Sequence, residues 1–385
     1  MQLTQLKEKF IHKFGGADKD IQVFFAPGRV NLIGEHIDYN GGYVFPAALT
    51  IGITVLWRSN EKGTITLSSL NATGETQVAI EGNILFDKKD GWANYPKGVF
   101  QYLKKEGYTL KGGEMLFYSN LPDGAGLSSS AAIEVVTAYA MLSVTGVPAI
   151  DLVWLARLCQ QVENEYVGVN CGIMDQFAVA NGKKLHAILL DCETLSYEWV
   201  PFEMKDYSLV IMNTNKRREL AESKYNERRA ECEKVLEILN TKNKYKNLCQ
   251  ASLAEMNELI KDPVLRRRAK HVITENQRVL ESVAVLKVGK LVEFGKLLNA
   301  SHASLQSDYE VTGAELDAIV EAAQKENSCL GARMTGAGFG GCAIALVKKD
   351  EIPTFIDHVG TAYTQATGIE PSFYSSSIGD GVHGM

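Results

Sequence analysis

Residues Leu121–Ala132 read LPDGAGLSSSAA. Strand-like GEMLFYSN precedes them and apolar AAIEVVTAYAML follows, so Gly124 and Gly126 fall just before a helix N-terminus. Unpaired N–H groups and the positive end of the helix dipole favour an anion at such a place. Ser128, Ser129 and Ser130 either cap the helix or present hydroxyls to a phosphate or its metal ion. A glycine turn with a serine cap and no ligand accounts for the same letters. The loop has no lysine and does not match GxxxxGK[ST], so it is not Walker-type, and an anion held there takes its positive charge from elsewhere.

Two further clusters stand out. In MTGAGFGGCAIALV, Met334–Val347, Gly336, Gly338 and Gly341 formally satisfy GxGxxG. The dinucleotide fingerprint needs a strand before it and a helix after it. Here helical AELDAIVEAAQKEN comes first and strand-like CAIALV follows, which excludes a Rossmann reading. The glycines still mark backbone that approaches either a ligand or another loop closely. In APGRVNLIGEHIDYNGG, Ala26–Gly42, the residues Arg29, Glu35, His36 and Asp38 crowd one cation, two carboxylates and an imidazole together. Carboxylates accept in pairs and arginine donates in a fork, a set suited to sugar hydroxyls. A metal site on a short extended stretch, or plain solvated charges, are the other readings.

At 385 residues the chain exceeds one ordinary core, and two domains are expected, 1–200 and 201–385. Hydrophobic residues at 45% and charged residues at 22% describe a folded chain. The net charge of −6 argues against a nucleic-acid or anionic-membrane partner. The polar, amphipathic N-terminus lacks the apolar run of a signal peptide, which points to the cytoplasm. The apolar stretch Ala131–Ile150 is interrupted by Glu134, Thr137, Ser143, Thr145 and Pro148, as in a buried helix and not a membrane span. Seven cysteines without metal-ligand spacing fit reduced thiols. Along the chain, IQVFFAPGRVNLIGEH reads as a strand running into a Pro-Gly turn, with TIGITVLWRS, GTITLSSL and GEMLFYSNL as further strands. One helix spans Asp151 to Gly168, and LHAILLDCETLSYEWVPF forms a hairpin. From Asn215 onward the sequence is charged and helical, with few strand signals before Cys342–Val347.

Together the three clusters resemble a known family. APGRVNLIGEHIDYNGG is similar to the galactokinase signature, and VNCGIMDQF at Val169–Phe177 is specific to the same branch. LPDGAGLSSSAA resembles the loop shared by kinases of galactose, homoserine, mevalonate and phosphomevalonate, and GARMTGAGFGGCA that superfamily's third motif. Ile37 stands where threonine is common. The resemblance implies an α+β fold of two α/β domains with the active site in the cleft between them. It implies ATP-dependent phosphorylation of the C1 hydroxyl of D-galactose.

By the same resemblance, Gly124, Ala125, Gly126, Leu127, Ser128, Ser129 and Ser130 wrap the ATP phosphates. Ser130 and Glu163 hold the Mg²⁺ that replaces the missing lysine charge. Asp175 faces the anomeric hydroxyl with Arg29 beside it, and Glu35, His36, Ile37, Asp38, Gly172 and Tyr225 complete the sugar site. An arginine beside a carboxylate keeps it ionised at the cost of basicity. Asp175 is therefore expected to orient the hydroxyl and finally accept its proton, with Arg29 stabilising the transferring phosphoryl group. Trp92 and Tyr95 have flat faces that suit adenine or the core, and Ser69 is a further nucleotide contact. A monomer without nucleic-acid or membrane partners is expected. Two rivals stand beside this reading: a non-catalytic sensor of sugar and ATP, and a kinase for N-acetylgalactosamine or arabinose. The intact stretch Ser128–Ala132 favours catalysis.

Overall fold

The computed structural model describes residues 1–122, 124–216 and 221–385, the side chains of Ala221 and Glu222 excepted; Asp123 of the glycine–serine loop lies outside the described residues. Helices and three sheets make up a mixed α/β fold. The largest sheet has six strands in the order His383–Gly384, Gln22–Asn31, Pro46–Ser59, Gly113–Ser119, Thr64–Ser69, Glu75–Ala79. Its pairs are antiparallel except Thr64–Ser69 with Gly113–Ser119, which run parallel. A four-stranded antiparallel sheet follows the order Cys329–Thr335, Cys342–Lys348, Tyr207–Asn213, Ser372–Ser376. The expected hairpin forms, as His186–Asp191 against Tyr197–Pro201, with Tyr43–Val44 as third strand.

The helix Ser129–Val144 is apolar on every side because it is enclosed, lying on the strands Gln22–Asn31 and Pro46–Ser59. Val135, Val136 and Leu142 are buried there, each contributing roughly 1.5–3 kcal/mol. On the other sheet, the helices Leu291–Ser304 and Ala314–Lys325 cover Cys329–Thr335, and Ile352–Thr367 covers Cys342–Lys348. The longest helix, Pro263–Lys287, starts where the Asp262 carboxylate accepts the N–H groups of Val264 and Leu265 and Pro263 needs no partner for its nitrogen. It packs on Leu291–Ser304, Ala221–Leu239 and Tyr43–Val44, and one buried core joins all these elements. Among the described residues no helix is long and apolar enough to cross a membrane. All seven cysteines are free.

Two expectations need correcting. Pro27 and Gly28 do not turn the chain: the strand Gln22–Asn31 runs through them, with a register shift between Pro27 and Arg29. A bulge tolerates a proline without an N–H, and Gly28 is needed because a Cβ would lie 2.8 Å from the Leu127 carbonyl. The strand Cys329–Thr335, whose burial on both faces hides any alternation, also went unread. With it, the second glycine cluster becomes the turn of a β-hairpin, again unlike a strand–loop–helix fingerprint.

Candidate active site

The register shift at Pro27 aims Arg29 at the glycine–serine loop. Its amide donates to Leu127 O at 3.1 Å and its Nη1 to Gly126 O at 2.9 Å. Its Nε and Nη2 grip the two oxygens of Asp175 at 2.7 and 2.6 Å, a fork matched to a carboxylate. Asp175 sits in the first turn of the helix Met174–Asn181, and its Oδ2 also accepts the Ser128 hydroxyl at 2.5 Å. Burial works against the Arg29 charge, but Asp175, with Glu35 and Asp38 behind it, more than offsets this and raises its pKa.

Ser128 therefore does not cap its helix. It holds a left-handed conformation, φ +61°, and its side chain turns to Asp175. Gly124 and Gly126 are left-handed too, at φ +66° and +73°. Such alternation turns successive amides inward as an anion-binding concavity. The first N–H groups of the helix Ser129–Val144, untouched by any capping side chain, face the same place.

Around this centre lies a cavity of about 340 Å³. Arg29, Glu35, His36, Asp38, Gly126, Ser128, Ser129, Ser130, Glu163, Gly172, Asp175 and Tyr225 line it, so residues far apart in the chain meet as expected. Ile37 is fully buried behind it. Gly336 and Ala337 add the hairpin turn, and Gly336 also lies against the Gly126 carbonyl, 3.3 Å from where its Cβ would be. The loop reading of that cluster holds, and the turn also borders the cavity. Ser69, Trp92 and Tyr95 do not line this cavity. Trp92 packs edge-on against Phe117, ring centroids 5.3 Å apart, and Ser69 pairs in register with Phe117. Tyr95 is half-buried against the core.

The side chains of the first cluster are committed in advance. His36 places Nε2 3.1 Å from the Ala337 carbonyl, which accepts only, so Nε2 carries the proton and Nδ1 accepts from the Tyr39 hydroxyl at 2.9 Å. Burial, with His271 nearby, pushes its pKa down to about 3 and keeps it neutral. Both ring nitrogens are thus occupied within the protein, and His36 offers the cavity its ring. Glu35 Oε1 accepts the Gly336 N–H at 2.7 Å, with Arg333 Nη1 at 3.4 Å. Burial raises the Glu35 pKa against the pull of Arg333 and Arg29. Asp38 is raised to about 7 by burial and by the charge of Asp175. A Cβ on Gly172 would overlap the Asp38 carboxylate and force it to move. The Tyr225 ring lies 5.5 Å from that of His36 and 5.2 Å from that of Tyr39.

Glu163 belongs to a π-turn, Val162–Val167, that extends the helix Leu152–Gln161 and ends at left-handed Gly168. Sequence periodicity runs straight through such a turn, which is why a single helix is expected there. Burial and the charge of Asp175 raise Glu163 to about 7, with Ser130, Cys171 and Gln176 pulling it back. It is a carboxylate short of a cation. Glu163 and the Ser130 hydroxyl are all-oxygen donors, and Mg²⁺ is commonly held by one or two protein oxygens plus substrate phosphates, so these residues fit it. Among the described residues no group of three or more His, Cys, Asp or Glu side chains could by itself hold a metal ion.

Glu134 was missed. It is fully buried in the helix Ser129–Val144, and Gln176 Nε2 bridges it at 3.4 Å to Glu163 at 2.6 Å. Burial first, then Glu163, drives its pKa far up. A lone glutamate in apolar AAIEVV, with no cation a turn away, was the available signal.

Comparison with known proteins finds close relatives by sequence and by overall structure. Residues 8–59 match the galactokinase galactose-binding signature, 94–183 the N-terminal domain of the GHMP kinases and 282–365 their C-terminal domain. Galactokinase of Clostridium tetani is 49% identical, covering 100% of this chain and 98% of its own, and that of Clostridium beijerinckii is 50% identical, covering 98% of each. The crystal structure of Lactococcus lactis galactokinase complexed with galactose superposes with a TM-score of 0.94 at 47% identity over 99% of both chains. Methanococcus jannaschii mevalonate kinase, at 18% identity and a TM-score of 0.69 over 92% of this chain and 98% of its own, shares the fold.

Proposed function

The chain belongs to the galactokinase family and is a sugar kinase, and from that premise we propose that it transfers the γ-phosphoryl group of ATP to the C1 hydroxyl of D-galactose. The observation that carries this is the Arg29–Asp175 pair. Both Asp175 oxygens are anchored, and the pair stands where the side chains of Glu35, His36 and Asp38 meet the amides of the glycine–serine loop. Asp175 orients the attacking hydroxyl and takes its proton. Strong proton abstraction is not required of it, because phosphoryl transfer passes through a loose transition state in most analyses. Arg29 also stabilises charge on the transferring group. Glu35, Asp38, Gly172 and Tyr225 shape the sugar side, while the backbone from Gly124 to Ser130 receives the phosphates.

Ser130 and Glu163 hold Mg²⁺, which when bound neutralises phosphate charge. Ser69, Trp92 and Tyr95 are proposed as nucleotide contacts outside this cavity. The protein works as a cytoplasmic monomer on free sugar; its free cysteines support the compartment. Release of ADP from Mg-ATP across a panel of free sugars tests it. Turnover selective for galactose is expected. Selective turnover of N-acetylgalactosamine or arabinose would reassign the substrate, and galactose binding without turnover would make the protein a sensor.

A further inference from the structure

Glu275 lies on the helix Pro263–Lys287, outside every motif and outside the cavity wall, yet it is fully buried. Its Oε1 accepts the Gly34 N–H at 2.9 Å and the Ser301 hydroxyl at 2.6 Å, and its Oε2 accepts Arg278 Nε–H at 2.7 Å. The Ser301 oxygen accepts Arg333 Nε–H at 3.2 Å. Arg333, also fully buried, donates through Nη1 to the carbonyls of Asn31 and Leu32 at 3.0 and 3.2 Å and reaches Glu35 at 3.4 Å. A carboxylate and a guanidinium therefore enclose the segment Asn31–Glu35 from behind. Gly34, at φ +101°, presses so close that a Cβ would lie 2.9 Å from the Val279 side chain, one turn along from Glu275. Burial opposes the Glu275 charge, but Arg278, His271 and Arg333 hold its pKa down at about 2, so it stays ionised.

We infer that Glu275 is a positioning residue for sugar recognition, fixing the Gly34 amide so that Glu35, His36 and Asp38 present one arrangement to the cavity. An apolar contact between helix and loop would set their distance alone. A charged acceptor on an amide sets direction as well. Removing one partner of a buried charge network leaves the others uncompensated, so the arrangement is strongly specified.

The inference rests on the cavity being the sugar site, which wild-type turnover of galactose establishes separately: without that turnover the proposed function fails before any variant is made. Glu275→Gln keeps the volume and one acceptor oxygen but turns an N–H toward Arg278. The expected result is a galactose KM raised about tenfold or more, a kcat within about threefold and an unchanged ATP KM. A merely structural residue would lower the folded fraction and leave galactose KM alone. A folded variant with wild-type galactose KM overturns the inference, as does a parallel rise in both KM values. If Glu275→Gln does not fold, Ser301→Ala decides, because it removes only the hydroxyl between Glu275 and Arg333. A galactose KM raised about threefold with ATP KM kept supports the inference, and an unchanged galactose KM overturns it.

Discussion

Along Asn31–Asp38 distant side chains hold the segment from behind, Arg333 from one strand and Glu275 from the longest helix, while the neighbouring Tyr39 and the backbone of Gly336 and Ala337 engage His36 and Glu35. Along Gly124–Ser130 the chain offers its own amides, shaped by left-handed Gly124, Gly126 and Ser128, and its ties to the rest of the site include Arg29 on the Gly126 carbonyl, Ser128 on Asp175 and Ser130 on Glu163. The two halves of the cavity thus solve different problems. A sugar is told from its epimers by the direction of single hydroxyls, which requires groups held rigid from behind. A phosphate accepts hydrogen bonds from many directions, and a turn of the right hand suffices.

Asp175 is where the two halves touch, and its loss has the largest expected effect. Asp175→Asn keeps the shape but turns an amide toward the Arg29 fork. Turnover should fall by about 10²–10⁴-fold, with galactose binding retained by calorimetry. Near-wild-type turnover would leave the two halves without their common residue. Next comes Glu163→Gln, which should raise the Mg²⁺ concentration for half-maximal turnover by at least about tenfold and leave galactose KM unmoved. If galactose KM shifted instead, Glu163 would belong to the sugar half. Gly172→Ala drives a methyl group into the Asp38 carboxylate. Overpacking of this kind costs about 1–3 kcal/mol, so galactose KM should rise about tenfold with ATP KM kept, and an equal rise in both would blur the division.

The smallest effect concerns pH. Asp38 titrates near its usual value when unfolded and at about 7 when folded. The folded state binds the extra proton across that window, so stability from this group is present at low pH and lost as pH rises through about 7. Asp38→Asn should therefore raise the melting temperature of the sugar-free protein at pH 8, on the order of 1–3 °C, and change it less at pH 5. The same gain at both pH values would mean that Asp38 is no strained carboxyl. Galactose KM, meanwhile, should worsen.

Much of this site could be read from local spacing, because the groups that face a ligand lie close together in the chain. Arg29 to Asp38 is one stretch, Gly124 to Ser130 another, and Gly172 and Asp175 share a third. The groups that hold these in place could not be read so. Arg333 is the one charge of its strand and Glu275 one of many on its helix, and only tertiary contact distinguishes them from solvated ones. The π-turn at Val162–Val167 leaves helical periodicity almost intact, so Glu163 was placed on the right element but in the wrong geometry. Pro27–Gly28 carries the composition of a turn, yet the pressure of Leu127 against Gly28 makes it a bulge inside a continuous strand. The hydroxyl of Ser128 was expected at a phosphate or a helix cap and is found on Asp175, a choice set by a partner far along the chain.

The strand that carries Arg29 has His383–Gly384 as one neighbour, paired through Phe24 and Phe25, so residues very far apart in sequence close one edge of the largest sheet. This edge stays open until His383–Gly384 has been synthesised and has docked. A pairing of such long sequence separation forms slowly, and an unpaired edge invites association with other chains meanwhile. Loss of His383–Gly384, remote in sequence from every catalytic group, would accordingly be felt first as a defect in yield and solubility, and only through that as a defect in catalysis.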